Sequence, residues 1–91
     1  MDSTQSNPSP LTSELIVITG ASAGIGAALA RRLSDSECRL ILLARREEKL
    51  EPLAKETGAA YYPVDLSDAD AVAEVCERIL AEHGTPDILI N

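Results

Sequence analysis

One stretch decides the fold of this chain: Thr19-Gly20-Ala21-Ser22-Ala23-Gly24-Ile25-Gly26. It follows a short run of mostly apolar residues, 14–19, whose β-branched side chains are typical of a strand that is covered on both faces. A helix pattern starts inside it, because Ile25, Leu29 and Leu33 share the four-residue spacing of one helix face. A strand, a glycine-rich turn and a helix in this order predict the first unit of an α/β fold.

The three glycines of this turn each have a physical reason to be there. We expect Gly20 to let the chain turn sharply away from the strand. Gly24 leaves space for a diphosphate to approach the backbone, and Gly26 lets the helix pack close to the sheet. The free N–H groups of the first helical turn then face the anion, together with the positive end of the helix dipole. The turn therefore predicts phosphate-binding residues, which we assign as Gly20, Ser22, Ala23, Gly24, Ile25 and Gly26.

Two other interpretations of the turn must be weighed against this one. Its spacing is G-x-x-x-G-x-G, whereas the common dinucleotide fingerprint is G-x-G-x-x-G, so a tight turn without a ligand stays open. A P-loop is excluded, because no G-K-[S/T] follows.

The rest of the chain alternates between strand and helix patterns. Strands are predicted at residues 38–44, 59–64 and 87–91, and a second helix at residues 47–57, closed by Gly58. Pro52 lies deep in that helix, so the helix either starts after Glu47 or kinks. The order β-α-β-α-β-α-β predicts an incomplete, Rossmann-like three-layer α/β/α domain over residues 14–91, with a parallel sheet. Residues 1–13 are polar, and we expect a disordered arm there.

The third helix has the clearest pattern. Ser67 is the predicted N-cap, with Asp70 as its capping-box partner. Gly84 and Pro86 mark the end of the helix. One apolar stripe predicts its buried face, which comprises Val72, Val75, Cys76, Ile79 and Leu80.

Length and composition exclude several classes of protein. The 91 residues can form one domain at most, and a net charge of −7 argues against nucleic acid or anionic membranes as partners. Cys38 and Cys76 form no C-x-x-C pair, which favours a reducing, cytoplasmic setting. His83 is the single histidine, too few ligands for a structural zinc site, and we expect a structural role for it. No apolar run is long enough to cross a membrane, and the N-terminus resembles no secretory signal.

The motif T-G-x-x-x-G-x-G after the first strand resembles the short-chain dehydrogenase/reductase family. The resemblance runs from Leu15 to the end of the chain and implies the strand order 3-2-1-4. Asp65-Leu66 stands where the family has an Asp that contacts adenine, and Asn91 resembles the first Asn of its N-N-A-G motif. An extended relative such as a sugar-nucleotide epimerase is disfavoured, because those proteins space their glycines as T-G-x-x-G-x-x-G.

The end of the second strand predicts the choice of cofactor. An NAD site has a carboxylate at this position, about 20 residues after the glycine turn. Here Arg45 and Arg46 follow Ala44, and a guanidinium pairs with a 2′-phosphate that a carboxylate would repel. The sequence therefore favours NADP(H), with Ser22 as a further hydrogen-bond donor; solvated loop charges are the alternative interpretation of the arginine pair.

No catalytic residue is assigned. The family uses a Ser and a Y-x-x-x-K pair, and residues four positions after Tyr61 and Tyr62 are Asp65 and Leu66. We expect the catalytic positions to lie beyond Asn91, so the chain resembles the NADP(H)-binding segment of an enzyme that interconverts a carbonyl and an alcohol. A truncated non-catalytic protein that pairs with a full-length relative is the alternative. Homo-oligomer formation stays open, because the helices that pair subunits in the family would come later.

An incomplete sheet has a consequence for stability. With two helices on one face and one on the other, we expect apolar strand surface around Val17, Ile18 and Ile90 to be exposed. The fourth strand would also be an unprotected edge. We therefore expect marginal stability for the chain alone.

Overall fold

A computed structural model describes residues 14–91, so the predicted arm at residues 1–13 lies outside the described residues. The sheet is parallel throughout, with the order β3-β2-β1-β4. Both the predicted fold class and the predicted strand order are confirmed. Within residues 14–91 the elements are β1 (Leu15–Thr19), α1 (Gly24–Leu33), β2 (Arg39–Ala44), α2 (Glu47–Thr57), β3 (Ala60–Pro63), α3 (Ala69–Glu82) and β4 (Ile88–Ile90).

The two faces of the sheet form two separate apolar cores. Ile16 and Ile18 of β1 belong to the core under α1 and α2, whereas Leu15 and Val17 belong to the core under α3. Successive side chains of a strand point to opposite faces, so Val17 and Ile18 cannot share one. Both are buried. The expectation that they are exposed on a common face is therefore wrong, and Ile90 is half-buried against the first core.

An exposed apolar surface lies instead beside β4 and α3. Leu80 is 53% exposed and Leu89 is 61% exposed, and Cys76 is exposed as well. The predicted burial of Cys76 and Leu80 is wrong, because α3 buries only Val75 and Ile79 fully against the sheet. The rest of its apolar stripe borders an open apolar cavity of about 550 Å³, together with β1 and β4.

The structure confirms the predicted bounds of α2 and corrects the predicted N-cap of α3 and the predicted buried face of α1. α2 begins at Glu47 and runs through Pro52, so a later start is wrong, and Gly58 closes it in the left-handed region with φ of 76°. Asp68, not Ser67, is the N-cap of α3, because its side chain accepts a hydrogen bond from the Ala71 amide. The buried face of α1 is Ala27, Ala30 and Leu33, whereas Ile25 is exposed.

Hydrogen bonds of Tyr62 join β3 to the end of α3. Its hydroxyl donates to the Glu82 carboxylate and lies 2.9 Å from His83 Nε2, which is then the donor of that second bond. Burial and the hydrogen bond to Glu82 raise the pKa of Tyr62 to about 12. The contact gives His83 a place in the fold, away from the carboxyl ends of the strands.

Replacement of two leucines tests this distribution of burial in the chain. Leu50 in α2 is fully buried, so Leu50→Ala should lower the free energy of unfolding by about 2–4 kcal/mol. Leu80→Ala changes the same residue type in a helix at a half-exposed position, and should alter it by less than about 1 kcal/mol. Urea denaturation followed by circular dichroism measures both. Equal losses would show that α3 is covered as completely as α2.

Candidate functional site

The carboxyl ends of the strands meet at one edge of the sheet. Gly20 follows β1, Arg45 follows β2, Asp65 lies two residues after β3, and Asn91 follows β4. From β1 the chain runs to β2 and β3 on one side, and the crossover through α3 then returns from β3 to β4 on the other side of β1. The gap between β1 and β4 is therefore a topological switch point. In open α/β sheets, ligands bind in the crevice at such a point.

The turn between β1 and α1 depends on two glycines with positive φ. Gly20 has φ of 63° and Gly24 has φ of 61°, a region that residues with a side chain adopt only with strain. Among the described residues, and apart from the adjoining residues of the chain, no atom lies within 4 Å of the position that a Cβ would take at either glycine. Their backbones are therefore open to an approaching group on that side.

Gly26 was predicted to let α1 pack close to the sheet, but the atoms nearest to it belong to the turn. A Cβ at Gly26 would lie 2.5 Å from the carbonyl oxygen of Gly20 and 3.0 Å from the Cα of Ala21. The surface that it approaches is thus the turn itself rather than the sheet, so the expected packing partner is corrected. The close approach holds the first turn of α1 directly against the end of β1.

The first amides of α1 are left available for a ligand. Ala23 is the N-cap in an extended conformation, and its side chain makes no capping hydrogen bond. The first bonded amide of the helix is that of Ala27, which donates to the Ala23 carbonyl at 3.4 Å. Within residues 14–91, the amides of residues 24–26 have no hydrogen-bond acceptor. Such amides and the helix dipole together favour an anion.

A cavity of about 250 Å³ lies beyond the turn, at the ends of β2 and β3. Arg46 does not line this cavity. It is the N-cap of α2, and its carbonyl accepts from the Lys49 and Leu50 amides. Two residues of opposite charge do line the cavity, Arg45 and Asp65. The lining brings together the predicted residues Gly20, Ser22, Arg45, Asp65 and Leu66, with Ala44, Val64 and Ser67.

Asp65 is held by its own loop. Its Oδ1 atom accepts hydrogen bonds from Ser67 Oγ at 2.7 Å and from the Ser67 amide at 3.0 Å. These two bonds lower the pKa of the Asp65 carboxyl, and the charge of Arg45 lowers it further. The Asp65 side chain thus bonds Ser67, whereas the cap of α3 is made by Asp68.

A second cavity, of about 460 Å³, continues the first toward β4. Gly20 and Leu66 line both cavities, so the two form one groove across the sheet edge. The remaining predicted residues Ala23, Ile25, Gly26 and Asn91 line this second part. Gly24 lies between two of them in the turn.

Thr19 also lines this groove, although the sequence analysis predicted no role for it. Its hydroxyl lies 2.8 Å from Asn91 Oδ1 and 3.3 Å from the Ile90 carbonyl oxygen. Because a hydroxyl has one proton, the shorter contact to Asn91 is the better hydrogen bond. The contact joins the end of β1 to the end of β4. The place of Thr19 directly before Gly20 was the signal that could have identified it.

Other kinds of site find no support in the described part of the chain. Between residues 14 and 91, His, Cys, Asp and Glu side chains form no group of three or more that could hold a metal ion. Over the same residues, every helix is too short or too polar to cross a bilayer.

Comparison with known proteins agrees with this fold and groove. A family model described as short chain dehydrogenase matches residues 14–91. An uncharacterized oxidoreductase of Mycobacterium bovis is 41% identical in an alignment of 86 positions, which covers 86% of this chain and 25% of that protein. A probable NADP-dependent dehydrogenase of Dichelobacter nodosus is 39% identical over 79 residues, 85% of this chain and 74% of that protein.

A solved structure gives the same result. The crystal structure of a metagenomic short-chain oxidoreductase in complex with NADP superposes with a TM-score of 0.81 and 42% identity, over 87% of this chain and 38% of that one. The chain defines a Rossmann-like α/β unit, and it belongs to the short-chain dehydrogenase family. It spans about a quarter of the length of the mycobacterial relative.

Substitution of Gly26 tests the geometry of the turn. Gly26→Ala should force Gly20 and α1 apart and lower the free energy of unfolding by about 1–3 kcal/mol. It should also move the NMR amide signals of residues 20–26. Gly58→Ala is the matched control, because it strains a positive φ of 76° at the far end of α2 and should cost about 1 kcal/mol without moving those signals. Unchanged turn signals in Gly26→Ala would contradict the close approach.

Proposed function

We propose that this chain is the NADP(H)-binding segment of an oxidoreductase whose whole protein transfers a hydride between NADP(H) and a carbonyl or alcohol substrate. One observation carries the choice of cofactor: Arg45 and Ser22 line the same cavity as the glycine turn. The first carboxylate after β2 is Glu47, inside α2. At the end of β2, where an NAD site has an acid, a 2′-phosphate would therefore meet a cation and a hydroxyl. The acid of the same cavity, Asp65, comes from the end of β3 and is bonded to Ser67.

The groove offers each part of the dinucleotide a suitable surface. The amides of residues 24–26 would hold the diphosphate at the start of α1. Asp65 and Leu66 would border the adenine, at the β3 end of the groove, and Arg46 would add positive charge outside it. Asn91 would lie toward the nicotinamide, at the β4 end, fixed there by the Thr19 hydroxyl.

The names of two similar proteins support NADP(H) over NAD(H). The relative from Dichelobacter nodosus is described as NADP-dependent, and the metagenomic oxidoreductase was solved with NADP. Each resembles this chain over more than four fifths of its length. The cysteine pattern adds the prediction of a reducing, cytoplasmic compartment.

The chemistry of the bound cofactor is hydride donation or acceptance at its nicotinamide ring. The residues of this chain would bind and orient the cofactor, and none of them is assigned to proton transfer. The chain contains no Y-x-x-x-K sequence. The alternative of a non-catalytic protein that pairs with a full-length relative gains no support from the comparisons, so we do not propose it.

Replacement of Arg45 tests the cofactor assignment. Titration of the chain with NADPH and NADH, followed by nicotinamide fluorescence and by NMR amide shifts up to millimolar concentrations, should show tighter binding of NADPH. Loss of a charge-assisted pair is worth about 1.5–3 kcal/mol, so Arg45→Ala should weaken NADPH binding by about tenfold or more. NADH binding should change much less.

Arg32→Ala is the control for a general charge effect. Arg32 is an exposed cation in the last turn of α1, away from the groove, and its loss should leave both affinities within about twofold. Equal wild-type affinities for NADPH and NADH, unaltered by Arg45→Ala, would contradict the assignment of NADP(H).

A further inference from the structure

Ser67 has no place in the predicted set of binding residues, yet it lines the end of the groove where we propose that adenine binds. Both its hydroxyl and its amide donate to one oxygen of Asp65, at 2.7 Å and 3.0 Å. It also lines the cavity that Arg45 and Ser22 share. Because both bonds end on the same carboxylate oxygen, they restrict the rotation of the Asp65 side chain.

Asp65 and Arg45 lie at the same end of the groove. The two residues line one cavity, and the charge of Arg45 is close enough to lower the pKa of the Asp65 carboxyl. Nevertheless they do not pair: within residues 14–91 the ion pairs are Arg31 with Glu56, Lys55 with Glu51 and Arg78 with Glu82. A carboxylate free to rotate toward a nearby guanidinium would compete with any phosphate for it.

We propose that Ser67 is a positioning residue for cofactor selection. By holding the Asp65 carboxylate in its own loop, Ser67 keeps Arg45 available to a 2′-phosphate. The inference rests on the proposed function, because it concerns the group that distinguishes NADP(H) from NAD(H). Ser67, a neutral residue outside the arginine pair, would thus contribute to the discrimination between the two cofactors.

Ser67 can be tested separately from the stability of α3. The N-cap of α3 is Asp68, whose Oδ1 accepts from the Ala71 amide at 3.1 Å. Removal of the Ser67 hydroxyl therefore leaves the cap of the helix in place. Asp68→Ala is the matched control, since it removes that cap one residue away and leaves both Ser67–Asp65 hydrogen bonds.

The experiment measures binding of 2′,5′-ADP and 5′-AMP to the chain by calorimetry. These two probes differ only in the 2′-phosphate, and they need no nicotinamide site. The wild type should prefer 2′,5′-ADP, and Ser67→Ala should reduce this preference by about two- to tenfold, the range expected for the net contribution of one hydrogen bond. Ser67→Thr should restore it. Asp68→Ala should lower stability and leave the preference unchanged.

Two further measurements separate positioning from general damage. The pKa of Asp65, followed by carboxyl NMR, should rise in Ser67→Ala and return in Ser67→Thr. In an Asp65→Asn background, which removes the competing charge, Ser67→Ala should no longer change the preference. An unchanged preference or an unchanged Asp65 pKa in Ser67→Ala would overturn the role of Ser67 and leave the proposed function intact. A wild type that binds both probes equally would overturn both.

Discussion

The contact between Gly26 and the Gly20 carbonyl sets the position of α1, and most features of the groove depend on it. With no side chain at Gly26, the first turn of the helix lies against the end of β1, where a Cβ would come within 2.5 Å of that oxygen. The amides of residues 24–26 are consequently held at the carboxyl edge of the sheet. A helix displaced by even a methyl group would carry its dipole away from the switch point between β1 and β4.

Electrostatics at this edge differ from those of the chain as a whole. The net charge is −7, which on average repels an anionic ligand. The groove offsets this locally with the helix amides and with Arg45, while Asp65, its acidic neighbour, is bonded to Ser67. Local placement of a few dipoles and charges, rather than overall composition, thus determines which ligand the groove suits.

The sequence predicted the layout of the fold better than its details. Alternating patterns gave the element order, the parallel sheet and the position of Gly20, because local periodicity and glycine content reflect local backbone geometry. Side-chain partners depend on three-dimensional contacts, so the burial of Val17, the exposure of Cys76 and the N-cap Asp68 were not predicted correctly. The contact of Thr19 with Asn91 joins residues 72 positions apart, and no local pattern reports such a pair.

A crystal structure of the chain with NADP⁺ tests the central claim most directly. We expect oxygens of the diphosphate to lie about 3 Å from amide nitrogens of residues 24–26, with the 2′-phosphate in the cavity beside Arg45. Those amides should be the same ones that lack an acceptor in the protein alone. A diphosphate bound elsewhere, with these amides hydrogen-bonded to water or to the side chains of the turn, would contradict the account.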